Sequence, residues 1–291
     1  MQQRFERVQH DLSLPETAAN PPLLQQLSRE HARLAPVIQK YHRYKKCLSE
    51  KNDLGALLQS SDGEMRRLAA DGARVIAHHR HGAARLAEVA AEFAPDRVRP
   101  LAADLRDAAE VARLLDEVLA IGLPTQLVHL PALPLRLERF TDVDWARLDD
   151  DLHVQVRALG MILQRVLPPL VKAKTPGRVV VMLSAVVLDP PPRSMASYHV
   201  AKAALWGLVR AVAADYADKQ IAINAVSPST IDTRFLADAP SKFGEFAAAA
   251  NPHKRNVTIA EVVAAIRFLL SADAGFITGA NLPVTGGSAF G

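Results

Sequence analysis

Gly177-Arg-Val-Val-Val-Met-Leu-Ser184 is an almost unbroken apolar run that ends on a hydroxyl, and its reading decides the architecture. A strand with one face in water alternates apolar and polar residues. A continuous Val run instead suits a strand covered on both faces, as in a parallel sheet sandwiched between helices. Parallel neighbours need long crossovers, and the chain supplies them on either side of Arg178–Ser184. Apolar runs at Leu54–Gln59, Ala73–His79, Val98–Ala102, Gln126–Leu130, Ile221–Val226 and Ala280–Val284 read as further strands. Between them lie amphipathic stretches at Glu64–Asp71, Ala83–Phe93, Ala108–Ala120, His153–Val171, Ser197–Ala217 and Ile259–Ser271. The alternation predicts an α/β fold, a doubly wound seven-stranded parallel sheet with helices on both faces and ligands at the carboxyl ends of its strands.

Residues 1–50 stand outside this alternation. They hold Pro15, Pro21, Pro22 and Pro36, mixed charge and two short apolar-periodic stretches. Leu23, Leu24, Leu27 and Leu34 line one face of a helix before Pro36 breaks it, and Val37, Ile38 and Tyr41 begin another. The expected organisation is a helical N-terminal extension over 1–50 followed by one α/β domain over 51–291. The basic cluster Lys40, His42, Arg43, Lys45, Lys46 reads as a solvated face.

Composition narrows the function. With 49% apolar and 23% charged residues, 291 positions bury a sizeable core. Cys47 is the only cysteine, which excludes an internal disulfide and a Cys-rich metal site, and the ten histidines show no His-Glu-x-x-His pattern, so no metal is expected. No apolar run reaches the ~18–20 residues that span a bilayer, and the first residues lack the apolar core of a secretory signal. A cytoplasmic, reducing location is the expectation, with no membrane partner. The net charge of +4 admits acidic partners such as a nucleotide phosphate or an acidic carrier without requiring nucleic acid.

The chemistry concentrates in Ser184 and Tyr198-His-Val-Ala-Lys202. Tyr198 and Lys202 stand four apart in an Ala-rich apolar stretch, so on a helix they share a face. A phenol titrates near ~10, and a fixed cation beside it favours its ionised form. The trio therefore reads as an acid/base site, with Lys202 tuning Tyr198.

These residues sit in an ordered series that resembles the short-chain dehydrogenase/reductase family, closest to its 3-oxoacyl-[acyl-carrier-protein] reductase type, from about Leu54 onward. Gly72-Ala-Arg-Val-Ile resembles the family's second strand, Ala103-Asp104-Leu105 its third-strand turn, and Thr141–Trp145 the lead-in to its long interface helix. Gly177–Ser184 is similar to the strand ending in the catalytic serine, and Tyr198-x-x-x-Lys202 to the catalytic pair. Ile223–Pro228 and Ile277–Gly287 complete the pattern. The resemblance implies a Rossmann-like fold and reduction of a carbonyl by a nicotinamide cofactor. Tyr198 would exchange the proton, Ser184 would hold the substrate oxygen, and Lys202 would bind the nicotinamide ribose. Gln155 would stand for the interface-helix asparagine, and Thr233 would touch the carboxamide. It also implies a dimer or tetramer, built on the helices His153–Val171 and Ser197–Ala217, and a substrate that is a free or carrier-bound carbonyl, foremost a 3-oxoacyl thioester.

The departures gather around the cofactor. Where the family has Thr-Gly-x-x-x-Gly-x-Gly, this chain reads Leu57-Leu-Gln-Ser-Ser-Asp-Gly63-Glu. Ser60, Ser61 and Gly63 offer donors to a pyrophosphate, but Asp62 repels it, and glycines normally let the backbone amides approach. The Asn-Asn-Ala-Gly segment is His129-Leu-Pro-Ala132, and Pro228-Ser229 replaces Pro-Gly. After the second strand, His78-His-Arg80-His lacks the acidic residue that bonds a ribose hydroxyl, while Arg80 suits a 2′-phosphate, so NADPH is expected over NADH. Asp104 either contacts adenine or caps the next helix. The alternative expectation is a cofactor-deficient subunit that serves as scaffold or hetero-oligomeric partner of a competent reductase of the same family.

Overall fold

In the computed structural model of the chain, residues 74–81, 83–93 and 97–290 are described, together with Leu27. The chain divides into two units, Met1–Gln59 and Ser60–Gly291, and the strands, helices and candidate site all belong to the second. The expected strand Leu54–Gln59, the expected helix Glu64–Asp71 and the boundary between 50 and 51 lie outside the described residues.

The described strands are β1 (Val75–His79), β2 (Val98–Ala102), β3 (Gln126–His129), β4 (Gly177–Met182), β5 (Ile221–Pro228) and β6 (Asn281–Val284). They form a β1-β2 pair and a four-stranded sheet in the order β3-β4-β5-β6, with every pairing parallel. The crossovers carry α1 (Ala83–Ala91), α2 (Ala108–Ile121), α3 (Trp145–Leu152), α4 (Ala158–Lys172), α5 (Ala196–Asp215), α6 (Phe243–Ala250) and α7 (Ile259–Leu270).

The Val run of β4 is buried on both sides, as its composition requires. Val179 and Val181 pack with Ile221, Ile223 and Ala225 of β5 against Leu159 and Leu163 of α4 and Leu205 and Val209 of α5. One residue out of phase, Val180 and Val226 pack against Val262, Ile266 and Leu269 of α7 on the opposite face. The register is held by pairings such as Val179 with Ile223 and Val181 with Ala225. Gly177 begins β4 where a Cβ would come within 2.7 Å of the Ile221 side-chain tip, so a larger residue there would make that side chain shift. Among the described residues no helix is long and apolar enough to cross a membrane.

Three elements differ from the sequence reading. The long interface helix begins at Trp145, not at His153, because the Asp144 side chain accepts from Arg147 N and starts it there. Between α3 and α4 the helix widens into a π turn over His153–Arg157, which it crosses without breaking. The stretch between β5 and α7, for which the apolar pattern gave no helix, contains α6. Asp104 is not the cap of α2. That role falls to Asp107, whose carboxylate accepts from Ala109 N and Glu110 N.

Candidate active site

Tyr198 and Lys202 lie on α5, one turn apart, where the helix starts beside the carboxyl end of β4. Lys202 is 2% exposed, a large cost for a cation, and its ammonium donates to the Met182 carbonyl at 2.8 Å. Burial pushes its pKa down to about 7, against the pull of the Asp151 carboxylate. Its Nζ stands 6.0 Å from the centroid of the Tyr198 ring.

The phenol behaves differently from the sequence expectation. Burial pushes Tyr198 up to about 12, a hydrogen bond with the Ser184 hydroxyl opposes the rise, and the Asp151 charge adds to it. Lys202 is not among the groups that lower it: its ammonium stands 6.0 Å from the ring centroid and is bonded to the Met182 carbonyl. A phenol kept neutral is a proton donor. Ser184 leaves β4 in extended conformation and accepts from Val186 N at 3.3 Å, so its side chain is fixed as the cap of a short 3₁₀ turn, Ala185–Val187.

The remaining expected residues fall into two groups. Gln155, fully buried in the π turn, donates from Nε2 to Asp151 Oδ1 at 2.8 Å, and its carbonyl accepts from His129 Nε2 at 3.0 Å. His129, the last residue of β3, is pushed down to about 3 by burial and is neutral. Thr233, beyond β5, accepts at Oγ1 from Phe235 N at 3.3 Å. Arg80 and Asp104 lie at the ends of β1 and β2 and bond to each other, Nε to Oδ2 at 3.1 Å. Hydrogen bonds from Arg106 hold the Asp104 carboxyl well below the usual carboxylate range. Asp104 is thus already engaged by two guanidinium groups. Ser60, Ser61 and Gly63 lie outside the described residues.

Two buried acids escape a reading of the sequence alone. Asp151 is 8% exposed and accepts from Leu133 N as well as Gln155. Glu138, 7% exposed, accepts from Ser197 Oγ at 2.6 Å, while its own N donates to the Ser194 carbonyl. These bonds tie the loop after β3 to the start of the helix that carries Tyr198. Around the phenol, Leu135, Val186 and Met195 form an apolar cluster with Leu137, Phe235, Leu236 and Phe243, and the Phe235 ring lies 5.3 Å from that of Tyr198. The Leu135 N to Phe235 carbonyl bond, 2.7 Å, joins the loops after β3 and β5 over this cluster.

At this end of the sheet two polar groups keep unspent hydrogen-bonding capacity. Lys202 has three donors and spends one on Met182, and the buried Ser229 hydroxyl, just beyond β5, has no hydrogen-bond partner within the protein. Lys202, Ser229 and Thr233 would hold the nicotinamide ribose and carboxamide.

Comparison with known proteins agrees with the geometry. Residues 63–289 match the family described as Enoyl-(Acyl carrier protein) reductase, and the PCRF domain family matches residues 1–107, overlapping it from 63. The 3-oxoacyl-[acyl-carrier-protein] reductase MabA of Mycobacterium avium is 30% identical over 77% of this chain and 84% of its own. Nodulation protein G of Rhizobium sp. (strain N33) is 29% identical over 52% of this chain, and the chain spans 60% of that relative's length. The crystal structure of levodione reductase superposes with a TM-score of 0.70 at 26% identity, covering 78% of this chain and 92% of its own. With the family match extending over 63–289 and Ser184, Tyr198 and Lys202 carried by the end of β4 and the start of α5, the chain belongs to the short-chain dehydrogenase/reductase family.

Proposed function

We propose that this protein reduces a carbonyl with NADPH, foremost the ketone of a 3-oxoacyl thioester to the 3-hydroxyacyl form. The observation that carries the reading is the placement of Tyr198 and Lys202 one turn apart on α5, beside the carboxyl end of the strand that leads into Ser184, with the Lys202 ammonium 6.0 Å from the phenol ring. The nicotinamide supplies the hydride when bound. Tyr198 delivers the proton to the developing alkoxide, and Ser184 holds the same oxygen with its hydroxyl. Lys202 orients the ribose and compensates charge as the proton leaves. Gln155 braces the helix behind Lys202. The apolar cluster of Leu135, Val186, Met195 and Phe235 suits an acyl chain, whose burial contributes about 0.8 kcal/mol per methylene.

Preference for NADPH is argued from Arg80, which still carries the positive charge a 2′-phosphate needs. Its bond to Asp104 is offset by Arg106, which neutralises the same carboxylate. The substrate is free or carrier-bound. A homodimer or homotetramer is the proposed assembly.

The sequence Ser60-Ser-Asp-Gly63 favours a second reading, a subunit with weak cofactor affinity that supports a competent reductase of the same family. Purified protein incubated with NADPH and a 3-oxoacyl thioester separates the two. Thioester-dependent oxidation of NADPH is the expected result. No oxidation, with no binding of NADPH at millimolar concentration, overturns the reductase reading in favour of the second.

A further inference from the structure

Between Tyr198 and Lys202 the chain reads His199-Val-Ala, and His199 is the polar residue of the three. It lies in the first turn of α5, where its backbone N donates to the Met195 carbonyl at 2.8 Å. Its ring reaches the segment that follows β4: Nδ1 stands 2.9 Å from the Val186 carbonyl oxygen. A carbonyl oxygen only accepts, so Nδ1 carries the hydrogen of this bond. In the neutral ring that requirement fixes the tautomer, with the proton on Nδ1 and a lone pair on Nε2.

Val186 is the centre of the 3₁₀ turn that presents Ser184. Its N donates to Ser184 Oγ at 3.3 Å, and Val187 N donates to the Ser184 carbonyl at 3.1 Å. The first of these bonds is longer than the ~2.7–3.2 Å usual for N–H···O, and 3₁₀ geometry is poorer than α-helical, so a three-residue turn is weakly held from within. The His199 bond has ordinary length and grips the same residue from a long helix. The Val186 side chain, meanwhile, packs with Leu135 and Met195 against Tyr198. A serine hydroxyl has one hydrogen and two lone pairs. With a lone pair engaged by Val186 N, Ser184 keeps its hydrogen for an oxygen placed beside Tyr198.

We propose that His199 is a positioning residue of this site: its Nδ1–H clamps the Val186 carbonyl to α5 and so holds the turn that orients the Ser184 hydroxyl. The inference rests on the reading of Ser184 and Tyr198 as the groups that meet the substrate oxygen. It goes beyond that reading in assigning a task to a side chain between the two catalytic residues of α5. Tyr198 and the support of Ser184 then sit on neighbouring residues of one helix, which ties the positions of the two hydroxyls together.

The test uses three variants of the full-length protein. Asn places its amide nitrogen where the imidazole has Nδ1, Gln places it one bond further out, and Leu has no donor. In cofactor-free wild type labelled with ¹⁵N-histidine, and with the His199 signals assigned by their loss in His199→Asn, long-range ¹H–¹⁵N correlation should show the neutral ring protonated on Nδ1. A neutral ring protonated on Nε2 overturns the proposal. Hydrogen exchange of the Val186 amide should quicken about three- to tenfold in His199→Leu, the usual worth of one hydrogen bond. It should return close to wild type in His199→Asn but not in His199→Gln. No change at Val186, or an equal change throughout β4, overturns the proposal. If His199→Leu does not fold, the wild-type tautomer and the contrast between Asn and Gln decide. With NADPH and a 3-oxoacyl thioester, His199→Leu should lower kcat about tenfold with NADPH binding unchanged, and His199→Asn should recover most of it; an unaltered kcat in His199→Leu again overturns the proposal. Tautomer and exchange are read without dinucleotide or carbonyl, so wild type that fails to oxidise NADPH removes the reductase reading while the clamp is still decided, and a working reductase can still refute the clamp.

Discussion

At Lys202 the protein bears a cost that is visible in its pH dependence. The ammonium falls from its ordinary 10.5 to about 7. Below about pH 7 the lysine is charged in both states, and the native state carries the full burial cost. Between the two values the unfolded chain holds a proton that the native state has released, so stability rises with pH, and above the unfolded value the cost is gone. Lys202→Met should therefore stabilise the protein near pH 6, by on the order of a few kcal/mol, and lose that advantage near pH 10. The attraction of Asp151 is already part of this balance, since it holds the lysine above the value that burial alone would set. Thermal melts at the two pH values check this, and an equal change at both would contradict it. Ser184, Tyr198 and Lys202 are legible in the sequence because a strand ending in serine and a four-residue spacing leave a recognisable trace. Asp151 is not, because an acid within Asp149-Asp-Asp151 looks solvated. The available signal is its phase: with Leu148 three residues before it and Gln155 four after, it falls on the buried face of α3.

The elements are legible wherever period and composition agree. The parallel strands β2 to β6 fall within a residue or two of the apolar runs, most plainly β4 and β5, which are covered on both faces and leave few polar residues to blur them. The start of α3 is hidden because Trp145 and the Asp-rich turn after it are poor helix signals, while the Asp144 cap that starts the helix acts by a single side-chain bond. The π turn has no sequence signature at all: it is one extra residue absorbed by packing. Capping gives a direct comparison at this scale. Asp107→Ala should destabilise the fold by about 1 kcal/mol through loss of the α2 cap, whereas Asp104→Ala should leave that cap intact and remove the ion pairs with Arg80 and Arg106 and the bond from Arg106 N. Urea midpoints of the two variants read the difference. At the start of α5, Glu138→Ala should cost about 1–3 kcal/mol by stranding the Ser197 hydroxyl. It should also lower turnover more than substrate affinity, because Tyr198 sits one residue further along; steady-state kinetics on the folded variant separate the two.

Across the whole molecule, the sheet, the two apolar layers and the site form one mechanical unit. The layer against α4 and α5 fixes the axis of the helix that carries Tyr198 and Lys202, and Leu205, with no exposed surface, lies in that layer three residues beyond Lys202. Leu205→Ala should cost about 2–5 kcal/mol of stability, measured by denaturant unfolding. The layer against α7 holds β5 and hence the Ser229 and Thr233 end of the site. The architecture, but not the fit of a pyrophosphate, is readable from apolar runs, because residues 57–64 depart from the family pattern at the place where phosphate recognition depends on backbone approach. The most direct measurement is thioester-dependent NADPH oxidation by wild type and Tyr198→Phe at matched cofactor saturation. Loss of the phenolic proton should slow turnover by about 100-fold or more with NADPH binding retained, and an unchanged rate would contradict Tyr198 as the proton donor.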